Sequence, residues 1–400
     1  MRFRSPVTDR VVESTKLSFF DFIAKRLARF PTVLERMAAD PFAASWWLRP
    51  FGWISFKRSR VKKRRFIFLS NRFPELVGAL ANDDAAVIGS VAELRRAREL
   101  GIKFCLNADL YLAAHAILFG TRGIPVERII QRWITFFGQQ ADPCYLVLAH
   151  DTSPISLLLT MISAECSNMR SVCIQHGLFN AGSDHDDIEG RNSDFNLVYH
   201  GSQKAEMLRR LPGACVEVMG FPAEIPVAKL DAATGPDVIL VGTGFTDQSL
   251  LLEKSLAIFR KVAELLREAV GRIEYRPHPS EQLASHLGSL EFSVNVEPKE
   301  VILSGARKLF IGFNSTLLYE ASLSGHLVVV LDDEQLPGYR IQPIGVTVNC
   351  RKIADLRDVI SQEWKRHSVS ELRASTLRDR LTEALQRLEG SPGSRGSLSQ

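Results

Sequence analysis

Lys308-Leu-Phe-Ile-Gly-Phe-Asn-Ser-Thr-Leu-Leu-Tyr-Glu-Ala-Ser-Leu-Ser-Gly325 is the stretch on which the reading of the fold turns. Leu309-Phe310-Ile311 has the composition of a short buried strand, and Gly312 is expected to end it. Asn314 or Ser315 is positioned to cap a helix that carries Leu317, Leu318 and Ala321 inward. The uncovered N–H groups and the positive dipole end of that helix make an anion site. The hydroxyls of Ser315 and Thr316 add donors, and Glu320 follows one turn later, within reach of a ligand's hydroxyls. The alternative is that Ser315 only caps its own helix.

The same strand-then-helix unit recurs on both sides. Phe66-Ile-Phe-Leu69, Ala86-Val-Ile-Gly89, Lys103-Phe-Cys-Leu106, Tyr145-Leu-Val-Leu-Ala149, Ser171-Val-Cys-Ile-Gln175, Asn196-Leu-Val-Tyr199 and Val216-Glu-Val-Met219 read as strands. Helical stretches separate several of them, one through Leu110, Leu112, Ala113 and Ile117, another from Ile129 to Phe137. Asp231-Ala-Ala-Thr-Gly-Pro236 is the expected linker. A second series follows: Val238-Ile-Leu-Val241, a helix from Ser249 to Ala269, Arg272-Ile-Glu-Tyr-Arg276, the opening stretch, and Leu327-Val-Val-Val-Leu331. Short apolar strands between helices predict parallel sheets with helices on both faces. The expected class is therefore α/β, two Rossmann-like domains facing a cleft. They are expected at 66–230 and 236–350, with a helical region at 1–65, C-terminal helices at 351–389 and a disordered tail at 390–400.

Four hundred residues allow two or three domains, and 46% apolar residues suffice for buried cores. A net charge of +5 is too small to imply a nucleic-acid partner. The six cysteines form no Cys-x-x-Cys pair, which argues against zinc and redox chemistry and suits reduced core positions. No signal peptide or bilayer-spanning run is seen. In residues 42–65 a group of aromatics, Phe42, Trp46, Trp47, Phe51, Trp53 and Phe56, precedes Lys57-Arg-Ser-Arg-Val-Lys-Lys-Arg-Arg65. That pairing suits an anionic membrane surface, where each cation contributes about 1 kcal/mol. A packed helical arm with one basic face is the other reading, and no nucleic-acid module accompanies the patch.

Ligands of such sheets bind beyond the carboxyl ends of the strands, so the strand exits carry the candidates. Ala149-His150-Asp151-Thr152-Ser153-Pro154 puts Asp151 at one exit, with Ser153 capping a helix that starts at Pro154. Gln175-His176-Gly177 puts an imidazole at the next, followed by a glycine that allows a close turn. Such a His can take a proton from a hydroxyl. Arg276-Pro277-His278-Pro279 fixes a guanidinium and an imidazole between prolines, as a departing anion needs. Gly242-Thr243-Gly244 adds backbone donors. Asp184-His-Asp-Asp187 could hold a cation, but its Gly- and Asn-rich surroundings favour a solvated loop, and no metal or cofactor is expected.

The order His-Gly after a strand, then Arg-x-His-Pro, then Asn-Ser-Thr-x-x-x-Glu resembles bacterial cell-surface polysaccharide transferases of the GT-B fold. The resemblance covers roughly residues 145 to 330. Polysialyltransferases have an acidic motif ending in Gly, an HP motif and a Ser-Ser/Thr motif. Teichoic-acid glycerophosphotransferases have Trp-His-Gly, HP-type and Ser-Ser motifs. Both use cytidine-activated donors. The resemblance implies an acceptor domain at 66–230 and a nucleotide-binding domain at 236–350. There His278, Ser315 and Thr316 hold the nucleotide phosphate and Glu320 binds ribose. His176 stands where the glycerophosphotransferases have their base; Gln175-His176 replaces the acidic pair of the sialyltransferases, and Asp151 is a reserve base or orients His176. The expected activity is metal-free transfer from a nucleotide sugar, CMP-linked, to a glycan or lipid-linked glycan hydroxyl in capsule- or lipopolysaccharide-type synthesis. The expected place is cytoplasmic, peripheral to the inner face of the membrane. Phosphotransfer from a CDP-polyol, nucleotide-sugar 2-epimerisation and a non-catalytic binding subunit are the rival readings.

Overall fold

The computed structural model describes residues 10–13, 61, 63–70, 72–80, 84–119, 124–177, 190–229, 236–243, 249–279, 281, 293–313, 315–332, 336, 347–366 and 376–390. These fall into two compact units.

The first unit is built on a seven-stranded sheet. Its strands are β1 (Phe66–Leu69), β2 (Ala85–Gly89), β3 (Lys103–Leu106), β4 (Cys144–Leu148), β5 (Met169–Ile174), β6 (Phe195–Val198) and β7 (Val216–Val218). The order is β3-β2-β1-β4-β5-β6-β7 and every pairing is parallel, for example Phe66 opposite both Ala85 and Tyr145. The central strand β4, Cys-Tyr-Leu-Val-Leu, is buried throughout, as a strand covered on both faces must be. Helices α1 (Pro74–Ala79), α2 (Val91–Glu99), α3 (Ala108–Phe119), α4 (Val126–Gly138), α5 (Pro154–Ala164) and α6 (Gly201–Arg210) connect the strands. One apolar core joins Ile67, Leu146 and Leu148 to Trp133, Phe137 and Leu158. A core on the opposite sheet face holds Phe66, Tyr145 and Ile174.

The second unit has a six-stranded parallel sheet, order β10-β9-β8-β11-β12-β13. Its strands are β8 (Val238–Val241), β9 (Ile273–Arg276), β10 (Ser293–Val294), β11 (Leu309–Gly312), β12 (Leu327–Leu331) and β13 (Thr347–Cys350). Helices α7 (Ser249–Leu266), α8 (Lys299–Ser304), α9 (Thr316–Leu323) and α10 (Leu356–Arg366) accompany them. The core is formed by Val238, Leu240, Phe259, Tyr275, Ile311 and Val329. The α/β class and the two Rossmann-like sheets are as expected. In each sheet the strands run outward in both directions from a pair, β1/β4 and β8/β11, and that reversal leaves a crevice at the carboxyl edge.

Gly312 ends β11 as expected, pairing with Val330 and Val241 as the last residue of the strand. A Cβ there would lie 3.1 Å from both the Val241 carbonyl and Leu318, so the glycine serves close packing. Several details differ from the sequence reading. The C-terminal segment divides: α10 adds Leu356 and Ile360 to the second unit's core. The last helix, α11 (Leu377–Glu389), lays Leu377, Leu381, Leu385 and Leu388 into a core of the first unit. Ser293–Val294 and Thr347–Cys350 are strands that the apolar pattern missed, because edge positions tolerate polar residues. Residues 231–235 of the expected linker, the aromatic-basic stretch up to residue 60, Gly244 and the Asp184–Asp187 cluster lie outside the described residues.

Candidate functional site

In the first unit, β4 and β5 are neighbours, and their exits carry His150 and His176. The two imidazoles meet edge to face, ring centres 5.9 Å apart. His176 Nδ1 lies 3.0 Å from the Ala149 carbonyl oxygen. A carbonyl can only accept, so Nδ1 carries the proton, and in the neutral ring Nε2 carries the lone pair. That is the tautomer of a general base. His150 Nδ1 lies 3.4 Å from Ser156 Oγ, which is 2.7 Å from Ser153 Oγ. Ser153 caps α5, accepting the Ser156 N–H, and Pro154 follows it as expected.

Gln175 is buried; its amide accepts from the Tyr199 N–H at 3.1 Å and donates to Gln203 Oε1 at 2.6 Å. It ties the exits of β5 and β6 together. At Gly177 a Cβ would meet none of the described atoms within 4 Å. Asp151 stands at the β4 exit as expected, where it holds the chain's own backbone. It is fully buried, and its carboxylate accepts the N–H of Gly190 at 2.8 Å, the N–H of Asn192 at 2.6 Å and Ser193 Oγ at 3.1 Å. Burial pushes its carboxyl up, against the pull of those donors. The group clamps the chain entering β6; among its described hydrogen bonds none goes to His176.

In the second unit, β9, β8 and β11 lie side by side and run the same way, so their exits share one edge. At about 4.8 Å per strand, the β9 and β11 exits are about 10 Å apart, the span of a small phosphorylated ligand. Ser315 caps α9, its hydroxyl accepting the Leu317 N–H at 3.3 Å, and both Ser315 and Thr316 are half-buried. A capping oxygen still has its O–H to give, so the cap and the anion site are compatible. The Arg276 Nη1 donates to Asn295 Oδ1 at 2.8 Å and to the Glu297 carbonyl at 2.7 Å, bracing the chain after β10. Glu320 is buried and pairs with the Lys299 ammonium at 2.6 Å. His278 stands half-buried at the β9 exit.

Two residues of this edge escaped the sequence reading. Lys299, the first residue of α8, brings a cation to the Glu320 carboxylate. Glu281 is the other. Its carboxylate accepts the Thr243 N–H at 3.0 Å, the His278 N–H at 3.1 Å and the Tyr275 hydroxyl at 2.7 Å. Burial and that neighbouring charge push the Tyr275 phenol far above its ordinary value. The Thr243 N–H therefore already serves a carboxylate of the chain itself, and the Gly242 N–H donates to the Arg276 carbonyl at 2.9 Å. A legible signal existed: Glu three residues after His278, with Pro279 between, is the spacing at which a carboxylate folds back onto a backbone N–H.

Among the described residues no group of three or more His, Cys, Asp or Glu could hold a metal ion, and no helix is long and apolar enough to cross a membrane. The six cysteines are free.

No family model matches the chain, and no curated protein does. Solved structures that resemble it include the lipopolysaccharide outer core galactosyltransferase WaaB, apo form, at 12% identity and TM-score 0.46, over 80% of this chain and 99% of that one. The UDP-GlcNAc 2-epimerase from Methanocaldococcus jannaschii resembles it at 11% identity and TM-score 0.46, over 81% and 99%. The GtfA/B complex does so at 13% identity and TM-score 0.38, over 67% of this chain and 58% of that one.

Proposed function

We propose that the chain is a GT-B-type glycosyltransferase that moves a sugar from a nucleotide-activated donor to a glycan hydroxyl. One observation carries this reading: His278, the Gly242-Thr243 loop and the Ser315 helix start come to one carboxyl edge, at the β8/β11 reversal where such sheets take ligands. In this reading the carboxyl edge of the second unit's sheet is the leaving-group site, and His176 is the base. His176 Nε2 takes the acceptor hydroxyl's proton as that oxygen attacks the anomeric carbon. The bond from that carbon to the phosphate oxygen breaks, and the nucleotide leaves with the electron pair. His278, the Ser315 and Thr316 hydroxyls and the α9 dipole stabilise its charge.

The finer reading follows the motif resemblance: a CMP-linked donor, a glycan or lipid-linked glycan acceptor of the cell surface, and attachment to the inner membrane face through residues 42–65. Side-chain donors and the helix dipole supply the stabilisation without a divalent ion. The test is nucleotide release from a panel of sugar nucleotides, with and without glycan acceptors. Acceptor-dependent release with a new glycosidic bond is expected. A phosphodiester product, or free sugar released without acceptor, overturns the reading in favour of polyol phosphotransfer or epimerisation.

A further inference from the structure

We propose that Glu281 is a positioning residue for the donor site, holding the His278 turn against the Gly242-Thr243 loop; this rests on reading that edge as the donor site. The exits of β8 and β9 meet at its carboxylate, and both oxygens are used. Oε1 accepts the Thr243 N–H; Oε2 accepts the His278 N–H and the Tyr275 hydroxyl.

The backbone is shaped around this group. A Cβ at Gly242 would lie 2.6 and 2.7 Å from the two carboxylate oxygens and 2.7 Å from the Tyr275 hydroxyl. Any side chain at 242 would therefore push the carboxylate out. The His278 turn is also closed in both directions: the Glu281 N–H donates to the His278 carbonyl at 2.9 Å while the Glu281 carboxylate takes the His278 N–H. Pro279 restricts the chain between them. Beneath the turn, Tyr275 is wholly buried against Phe259, ring centres 5.9 Å apart, so its hydroxyl is a fixed donor.

An amide cannot replace this carboxylate. Three donors need acceptors on both terminal atoms, and glutamine offers one oxygen and one N–H group. Glutamine at 281 leaves at least one donor facing another donor. The turn then holds His278 loosely, and the ordering it has lost must be supplied when a ligand binds. A role in stability alone would lower the melting temperature and leave ligand affinity unchanged.

The experiment uses the full chain. Wild type, Glu281→Gln, Glu281→Ala and Tyr275→Phe are titrated calorimetrically with CMP, CDP, UDP and GDP. In parallel, the His278 imidazole is followed by NMR with ring-labelled histidine, its signal assigned through His278→Asn. Glu281→Gln is expected to weaken nucleotide binding about tenfold, the loss of a hydrogen bond to a charged group. The His278 signal is expected to move or broaden in the unliganded variant. Tyr275→Phe, which keeps the buried ring, is expected to weaken binding about fivefold, and it carries the question if Glu281→Ala does not fold. If Glu281→Gln binds the same nucleotide as tightly as wild type, with an unmoved His278 signal, the proposal is overturned. If wild type binds none of the four, the donor-site reading fails instead. The unliganded His278 signal then decides the positioning role: a moved signal supports it and an unmoved one overturns it.

Discussion

At the scale of single residues, the proposed chemistry rests on two imidazoles, each at the exit of a buried strand. His176 donates through Nδ1 to the Ala149 carbonyl, which leaves Nε2 as acceptor. His278 is held by its backbone and presents its ring at a strand exit. Replacing His278 with Ala should lower turnover about a hundredfold or more, since a fixed donor to a leaving group has that weight. Its circular dichroism and melting temperature should stay near wild type. His176→Ala should lower turnover by about two to four orders of magnitude with little change in nucleotide affinity, the mark of a lost base. Steady-state transfer assays check both, and near-normal turnover in either removes its residue from the mechanism. These two positions were legible because each follows a buried apolar run and stands beside a Gly or Pro. Asp151 was legible as an exit residue but not in its role: a carboxylate at a strand end reads the same whether it faces a ligand or clamps a loop. Its partners, Gly190, Asn192 and Ser193, are some forty residues away in the chain.

At the scale of elements, the joints around β8, β11 and β12 carry the sharpest consequences. Gly242→Ala brings a methyl onto the Glu281 carboxylate, and should cost about 1–3 kcal/mol in denaturant unfolding. The turn between α9 and β12 contains a pH latch. His326 is fully buried; Nδ1 accepts the Lys308 N–H at 3.0 Å and Nε2 donates to the Leu303 carbonyl at 3.1 Å. Burial, with the Lys308 and Arg307 charges, lowers its pKa from 6.5 to about 4. The unfolded chain therefore binds the proton first on acidification. The stability held by neutral His326 is complete above about pH 6.5 and is lost as pH falls towards 4, in total about 3 kcal/mol. Urea unfolding of wild type and His326→Asn between pH 7 and 4 checks this. The variant should show the shallower slope; equal slopes would contradict it. The sequence reading singled out the chain on either side of this joint but not His326, since nothing around it marks a histidine buried between two backbone groups.

At the scale of the whole molecule, two parallel sheets were readable because their central strands are near-continuous apolar runs, Cys144–Leu148 and Leu327–Leu331 above all. Strand order was not readable. Pairing across the sheet depends on which helix faces fit which sheet faces, and that information is spread over the chain. The destination of the last helix was hidden for the same reason: its leucine stripe announces burial without naming the partner. Leu381→Ala should therefore destabilise the first unit by about 2–5 kcal/mol, read in denaturant melts, although residue 381 lies far along the chain from β1 to β7. The central claim is that the second unit grips a nucleotide through His278 and the Ser315 helix start. Its most direct test is a thermal-shift panel of CMP, CDP, UDP and GDP, with and without magnesium, on wild type and His278→Ala. At least one nucleotide should stabilise wild type equally with and without magnesium and lose that effect in the variant. No stabilisation by any of the four, or stabilisation undiminished by His278→Ala, would contradict the claim.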